Sequence, residues 1–162
     1  MKLYHGSNIV VQKPVILENQ RLLDFGKGFY VTTNINQAEK WALIKQRRSG
    51  VETKAIVTVY EIDNNLLDCS SFVVRHFPFA NEEWLDFIVS NRSKDLKHPY
   101  DIVKGAVAND TLYATLVLFE TGLLSKVETI SRLKSHKLFD QISFHNQQVL
   151  SELRFVEAYE LK

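Results

Sequence analysis

The segment that most constrains this chain is Ala55-Ile56-Val57-Thr58-Val59-Tyr60, a run that is apolar or β-branched on both of its faces. A strand with no polar face must be covered on both sides, which predicts a central position in a sheet rather than an edge. Such a strand needs a real core around it. The chain supplies one: 45% of its 162 residues are apolar, enough for one compact domain spanning 1–162 and too few residues for two of average size.

Around that strand, short strands and helices alternate without a βαβ rhythm. Lys2-Leu3-Tyr4-His5 is a strand ending at the turn formers Gly6-Ser7-Asn8. Gly26-Lys27-Gly28 runs straight into the aromatic strand Phe29-Tyr30-Val31-Thr32. Asn36 and Glu39 form a capping box that opens a helix over Gln37–Arg48, with Ala38, Trp41, Ala42 and Lys45 along one face. Further helices are expected over Glu82–Asn91, Leu112–Glu120, Val127–Lys134 and Gln147–Leu153. Further strands are expected over Tyr100–Val103, Gln141–Phe144 and Arg154–Leu161. The pattern predicts an α+β fold rather than a doubly wound parallel sheet.

Composition excludes several functions. Twenty Lys plus Arg against nineteen Asp plus Glu leave a net charge of +1, too little for a protein that holds nucleic acid by bulk electrostatics, although local patches remain open. The lone Cys69 forms no internal disulfide and no zinc-finger pattern, and no His/Cys/Asp group has metal-ligand spacing. Leu112–Phe119, the longest greasy stretch, is far too short to span a membrane, and no secretory signal is visible. A cytoplasmic, reducing setting with no membrane partner is expected.

Three segments carry the chemistry jointly: Tyr4-His5-Gly6-Ser7, Gly26-Lys27-Gly28-Phe29-Tyr30 and Asp140-Gln141-Ile142-Ser143-Phe144. In this order they resemble the ADP-ribosyltransferase superfamily in its diphtheria-toxin and poly(ADP-ribose) polymerase branch. That branch has a His on its first strand, a Tyr after a Gly-x-Gly turn and a polar residue, usually Glu, opening a late strand. Trp41 falls eleven positions after Tyr30, where the branch places a second aromatic. Glu83-Trp84-Leu85-Asp86-Phe87, Asn91-Arg92, Asp101-Ile102-Val103 and Ala108-Asn109-Asp110 further resemble a bacterial family of unknown function within that superfamily.

The resemblance implies split antiparallel sheets around an NAD cleft, with helices outside. It implies His5, Tyr30 and Gln141 as catalytic, His5, Gly6, Ser7, Gly28, Tyr30 and Trp41 as NAD-binding, and Glu83, Asp86, Arg92, Asn109 and Asp110 as cleft residues. NAD would be the substrate, with no metal. Chemistry supports these roles. Tyr30 and Trp41 offer π faces to a cationic nicotinamide ring, Gly6 lets backbone groups approach its carboxamide, and His5 and Ser7 have atoms for ribose hydroxyls.

Gln141 keeps the acceptor oxygen of the usual Glu but lacks its charge and takes no proton from a nucleophile. Ala38 stands where the polymerases carry a carboxamide-binding serine. Both departures argue against chain elongation and favour transfer of a single ADP-ribose, hydrolysis, or a site that has lost turnover. The resemblance implies the first, to a protein or nucleic acid, as in toxins of toxin–antitoxin or defence modules with a small antitoxin partner. The alternatives are an NAD glycohydrolase and a binding module without turnover. More remote is a metal-independent RNase, on the Arg92-x5-His98 spacing. Each residue also has a structural reading: His5 as a half-exposed strand-end histidine, Tyr30 and Trp41 as core aromatics, Gln141 as a solvated strand residue, and Asn109-Asp110 as a helix cap.

Overall fold

The computed structural model describes all residues except 19–22, 51, 69–70, 94–96, 107–109 and 135–138; Cys69 and Asn109 lie outside the described residues. Among the described residues, seven strands form two sheets. β1 (Lys2–Ser7), β3 (Ile56–Glu61) and β7 (Arg154–Glu160) make an antiparallel sheet in the order β1-β3-β7. β2 (Phe29–Val31), β4 (Val74–His76), β5 (Ile102–Ala106) and β6 (Asp140–Phe144) make the second, in the order β2-β6-β5-β4, antiparallel apart from the β4–β5 pair. The described helices are α1 (Ile35–Ser49), α2 (Glu82–Ser93), α3 (Asp110–Glu120), α4 (Lys126–Lys134) and the short α5 (Gln147–Leu150). The fold is α+β.

The apolar segment Ala55–Tyr60 enters β3 at Ile56, and that strand lies in the middle of its sheet, as two apolar faces predict. Its two faces enter two different cores. Tyr60 belongs to a cluster between the sheets with Leu3, Phe29, Val31, Ile102, Ile142 and Phe144, while Val57 packs with Ala38, Ala42 and Ala55 beneath α1. A third cluster places Trp84, Leu85 and Ile88 of α2, with Leu116 and Leu133, against Phe25 and Val103 on the outer face of the second sheet. The layers therefore run α1, first sheet, second sheet, α2–α4.

Small residues set how closely α1 lies on β1. A Cβ on Gly6 would sit 2.0 Å from the Ala38 carbonyl oxygen and 2.7 Å from the Ala42 nitrogen. Only glycine allows backbone to meet backbone here, with two alanines as the facing residues. The cap of α1 differs from the capping box expected at Asn36. Asn34 is the N-cap, its side chain accepting from the Gln37 amide at 3.1 Å, because the helix begins at Ile35. β5 likewise runs Ile102–Ala106 rather than Tyr100–Val103, with Asp101 capping the chain turn instead: its carboxylate accepts from the Val73 amide at 2.7 Å. β4 and a short 3-10 turn at Asn64–Leu67 had no distinct sequence signal.

Candidate functional site at the parting of the two sheets

Among the described residues the two sheets are joined by one isolated bridge, Tyr4 to Thr32. The Tyr4 amide donates to the Thr32 carbonyl at 2.9 Å and the Thr32 amide to the Tyr4 carbonyl at 3.0 Å. In an antiparallel ladder a residue turns both backbone groups to one side and its neighbour to the other. Tyr4 turns toward Thr32, so Gly6, two residues on, turns the same way, off the β3 ladder and toward the edge facing β2. Continued pairing would set Gly6 against Tyr30, but no bridge forms there. The sheets part at this point.

His5 spans the gap. Its Nδ1 donates to the Tyr30 carbonyl at 2.7 Å, and its ring stacks on Phe29 with centroids 4.5 Å apart. A carbonyl only accepts, so Nδ1 carries the hydrogen and Nε2 keeps a lone pair. Nε2 meets no partner among the described residues. Burial holds the imidazole pKa down to about 4; the Tyr30 carbonyl opposes this and the nearby Lys45 ammonium adds to it. At neutral pH His5 is thus an uncharged ring with an unused acceptor.

Tyr30 is anchored at its hydroxyl, which donates to the Gly26 carbonyl at 2.5 Å and accepts from the Phe25 amide at 3.2 Å. Burial, with the Asp24 carboxylate, pushes its pKa well up, so it stays a phenol. Its ring lies near-parallel to Phe25, centroids 6.4 Å apart. Gln141 shares that face of the second sheet: Tyr30 pairs with Ser143, two residues along β6, and Gln141 pairs with Gly105. The Gln141 carboxamide is half-buried and has no partner among the described residues. The Asp140 carboxylate points to the other face, where it accepts from the Thr33 hydroxyl at 2.7 Å and amide at 3.4 Å and from the Thr32 hydroxyl at 3.5 Å. Trp41 is half-buried on α1, one residue before the Ala42 that meets Gly6.

Other residues singled out from sequence lie elsewhere or are committed. Ser7 is buried and donates to the Ile9 carbonyl at 2.6 Å. A Cβ on Gly28 would meet the Phe144 oxygen at 2.7 Å, so this glycine serves packing against β6. Glu83 pairs with Arg75, and Asp86 with Lys126 at 2.7 Å, on the rim of a cavity of about 360 Å³ beside Phe87 and Tyr100. Arg92 lies 3.6 Å from Asp24 and 3.5 Å from Glu120. Asp110 opens α3. No described helix is long and apolar enough to cross a membrane, and no described group of His, Cys, Asp and Glu is placed to hold a metal ion.

Sequence reasoning missed the clasp on the Gly26–Gly28 turn. Three successive carbonyls accept from three side chains: Phe25 from His98 Nε2 at 2.9 Å, Gly26 from Tyr30, and Lys27 from His145 Nδ1 at 2.7 Å. Gly26 takes a φ of +84°, open to glycine at no steric cost. Ser143 donates to His145 Nε2 at 2.8 Å, so both nitrogens of that ring are used. Burial, and to a lesser degree the neighbouring His98, lower the His145 pKa to about 4. His98 is thereby accounted for as a turn partner, and an all-helical RNase fold does not describe this two-sheet protein.

An α+β protein with two small sheets meeting at one bridge is the class these features define. Residues 1–155 match the family described as DUF3990, proteins of unknown function, and the chain belongs to that family. No curated protein and no solved structure matches it.

Proposed function

We propose that the protein is an NAD-dependent ADP-ribosyltransferase with an ADP-ribosyltransferase-type fold, moving a single ADP-ribose to a macromolecular acceptor. The observation that carries this reading is His5: a neutral imidazole fixed by one nitrogen at the parting of two sheets, with the other nitrogen left as an acceptor. A ribose hydroxyl is a donor of the right kind for Nε2. The edge-turned amide and carbonyl of Gly6 match the complementary groups of a nicotinamide carboxamide. Tyr30, held by its hydroxyl, and Trp41, on the helix packed on Gly6, supply aromatic faces for the ring.

Breaking the nicotinamide–ribose bond builds positive charge at the anomeric carbon. Gln141 offers an oxygen dipole there and no base, which suits an acceptor nucleophile that brings or loses its proton elsewhere. Toxin action, with a small protein that silences it, would follow from such an activity.

Nicotinamide release from NAD, with and without cell lysate, tests the reading. The control is His5→Asn, whose amide nitrogen reproduces the Nδ1 bond and removes the Nε2 acceptor. Release that needs lysate and is lost in the variant supports a transferase. Release without lysate makes the protein a glycohydrolase. NAD binding without release leaves a binding module, and absence of binding ends the proposal.

A further inference from the structure

A second site lies at the end of the four-stranded sheet where β4 and β5 leave and β6 enters. A cavity of about 640 Å³ opens there, a volume typical of small-ligand pockets. Phe79 and Phe139 contribute aromatic surface, and Phe79 is 72% exposed, unusual for a phenylalanine with no partner to cover it. Lys104 and His76, paired across the parallel β4–β5 ladder, bring basic groups to the same wall. Lys40 reaches from α1 to within 5.8 Å of the Phe139 ring centroid.

The carboxylate in the wall is Asp140, and it is spent on Thr32 and Thr33. It keeps its negative charge, but the Lys104 and Lys40 ammoniums outnumber it, so the wall is net positive. Exposed aromatic faces beside lysines suit a flat ring that stacks on them and carries an anionic group for the ammoniums. The near-zero net charge of the whole chain makes this a local patch rather than a general basic surface.

We propose that this cavity binds a nucleotide, the base against Phe79 and Phe139 and the phosphate on Lys104 and Lys40. On the transferase reading above, this nucleotide belongs to the acceptor, because Asp140 in the cavity wall is adjacent in the strand to Gln141. The same chemistry is presented by a free nucleotide and by one unit of a single strand.

Fluorescence anisotropy with labelled single-stranded RNA and DNA of about twelve nucleotides, competed by AMP, UMP or NAD, separates these sources. Phe79→Ala should weaken binding by about 5- to 100-fold and Phe79→Tyr should restore it. Lys104→Ala should weaken binding and reduce its salt dependence by about one phosphate contact. A strand held tighter than AMP or UMP identifies a nucleic-acid acceptor, and equal affinities identify a free nucleotide. Binding that is absent, or indifferent to both residues, overturns the proposal. So does competition by NAD at the concentration that saturates the His5 site, which would make the cavity part of the NAD site.

His5→Asn keeps the two readings apart. Strand binding should survive in it while NAD binding falls. A wild-type protein that binds strands through Phe79 and Lys104 but releases no nicotinamide would retain the nucleotide site and lose the transferase.

Discussion

His5 and His145 each donate Nδ1–H to a backbone carbonyl at 2.7 Å, that of Tyr30 and that of Lys27. Burial takes both rings to a pKa of about 4. They differ at the second nitrogen. His145 Nε2 accepts from Ser143 inside the protein, whereas His5 Nε2 has no partner among the described residues. One histidine is closed on itself as a fastener of the Gly26–Gly28 turn. The other is half-used, and the unused half lies where the sheets part. Burial and a lowered pKa are common to both rings; what differs is the number of satisfied ring nitrogens.

The largest expected effect is on the closed side. His145→Ala removes two buried hydrogen bonds, to the Lys27 carbonyl and from the Ser143 hydroxyl, and opens a cavity, and should cost about 3 kcal/mol in denaturant unfolding. A loss well under 1 kcal/mol would show that the turn holds without its clasp. Next is acid. Both histidines bind a proton more readily unfolded, near 6.5, than folded, near 4. Stability should therefore be flat above pH 6.5 and fall as pH drops toward 4, by on the order of 3 kcal/mol for each ring. Removing either one should make that acid slope shallower, and an unchanged slope in both variants would contradict the buried neutral state.

On the open side the effects move from folding to binding. His5→Asn should keep stability within about 1 kcal/mol while weakening NAD binding by about 1.5 kcal/mol, roughly tenfold, in calorimetry. Equal losses in both would erase the contrast between the two histidines. Trp41→Ala should weaken NAD binding by about 1 kcal/mol through lost stacking, with a nearly unchanged unfolding midpoint. Unaltered affinity would remove Trp41 from the site.

Much of this architecture was legible because burial leaves its mark on residue type. β3, apolar on both faces, is central. Gly6, expected as a turn former after the first strand, instead lies inside β1 (Lys2–Ser7), because its missing side chain serves the close approach of α1 at Ala38 and Ala42. The turn at Gly26-Lys27-Gly28 was legible from its glycines, but its fastening was not, because His98 and His145 lie 47 residues apart in the chain and meet only in the fold, rings 4.4 Å apart. The pairing of three carbonyls with three side chains has no local pattern. Asn36 fits a cap by spacing, but Asn34 has the same side chain two residues earlier and accepts from the Gln37 amide, so the helix starts at Ile35 and Asn36 lies inside its first turn. The cavity by Phe79 has no local sequence pattern for a similar reason: its walls come from β4, β5 and β6 and the segments that join them.

The Asp140 carboxylate fastens the strand that carries Gln141 to Thr32 and Thr33, the residues that lead into the helix carrying Trp41. It therefore closes the end of the β2–β6 ladder just beyond the Val31–Ile142 pair, where backbone pairing has run out. One short carboxylate thus ties the first residue of β6 to the turn that starts α1, so a change of its length or charge acts on where that helix begins while the paired strands keep their register.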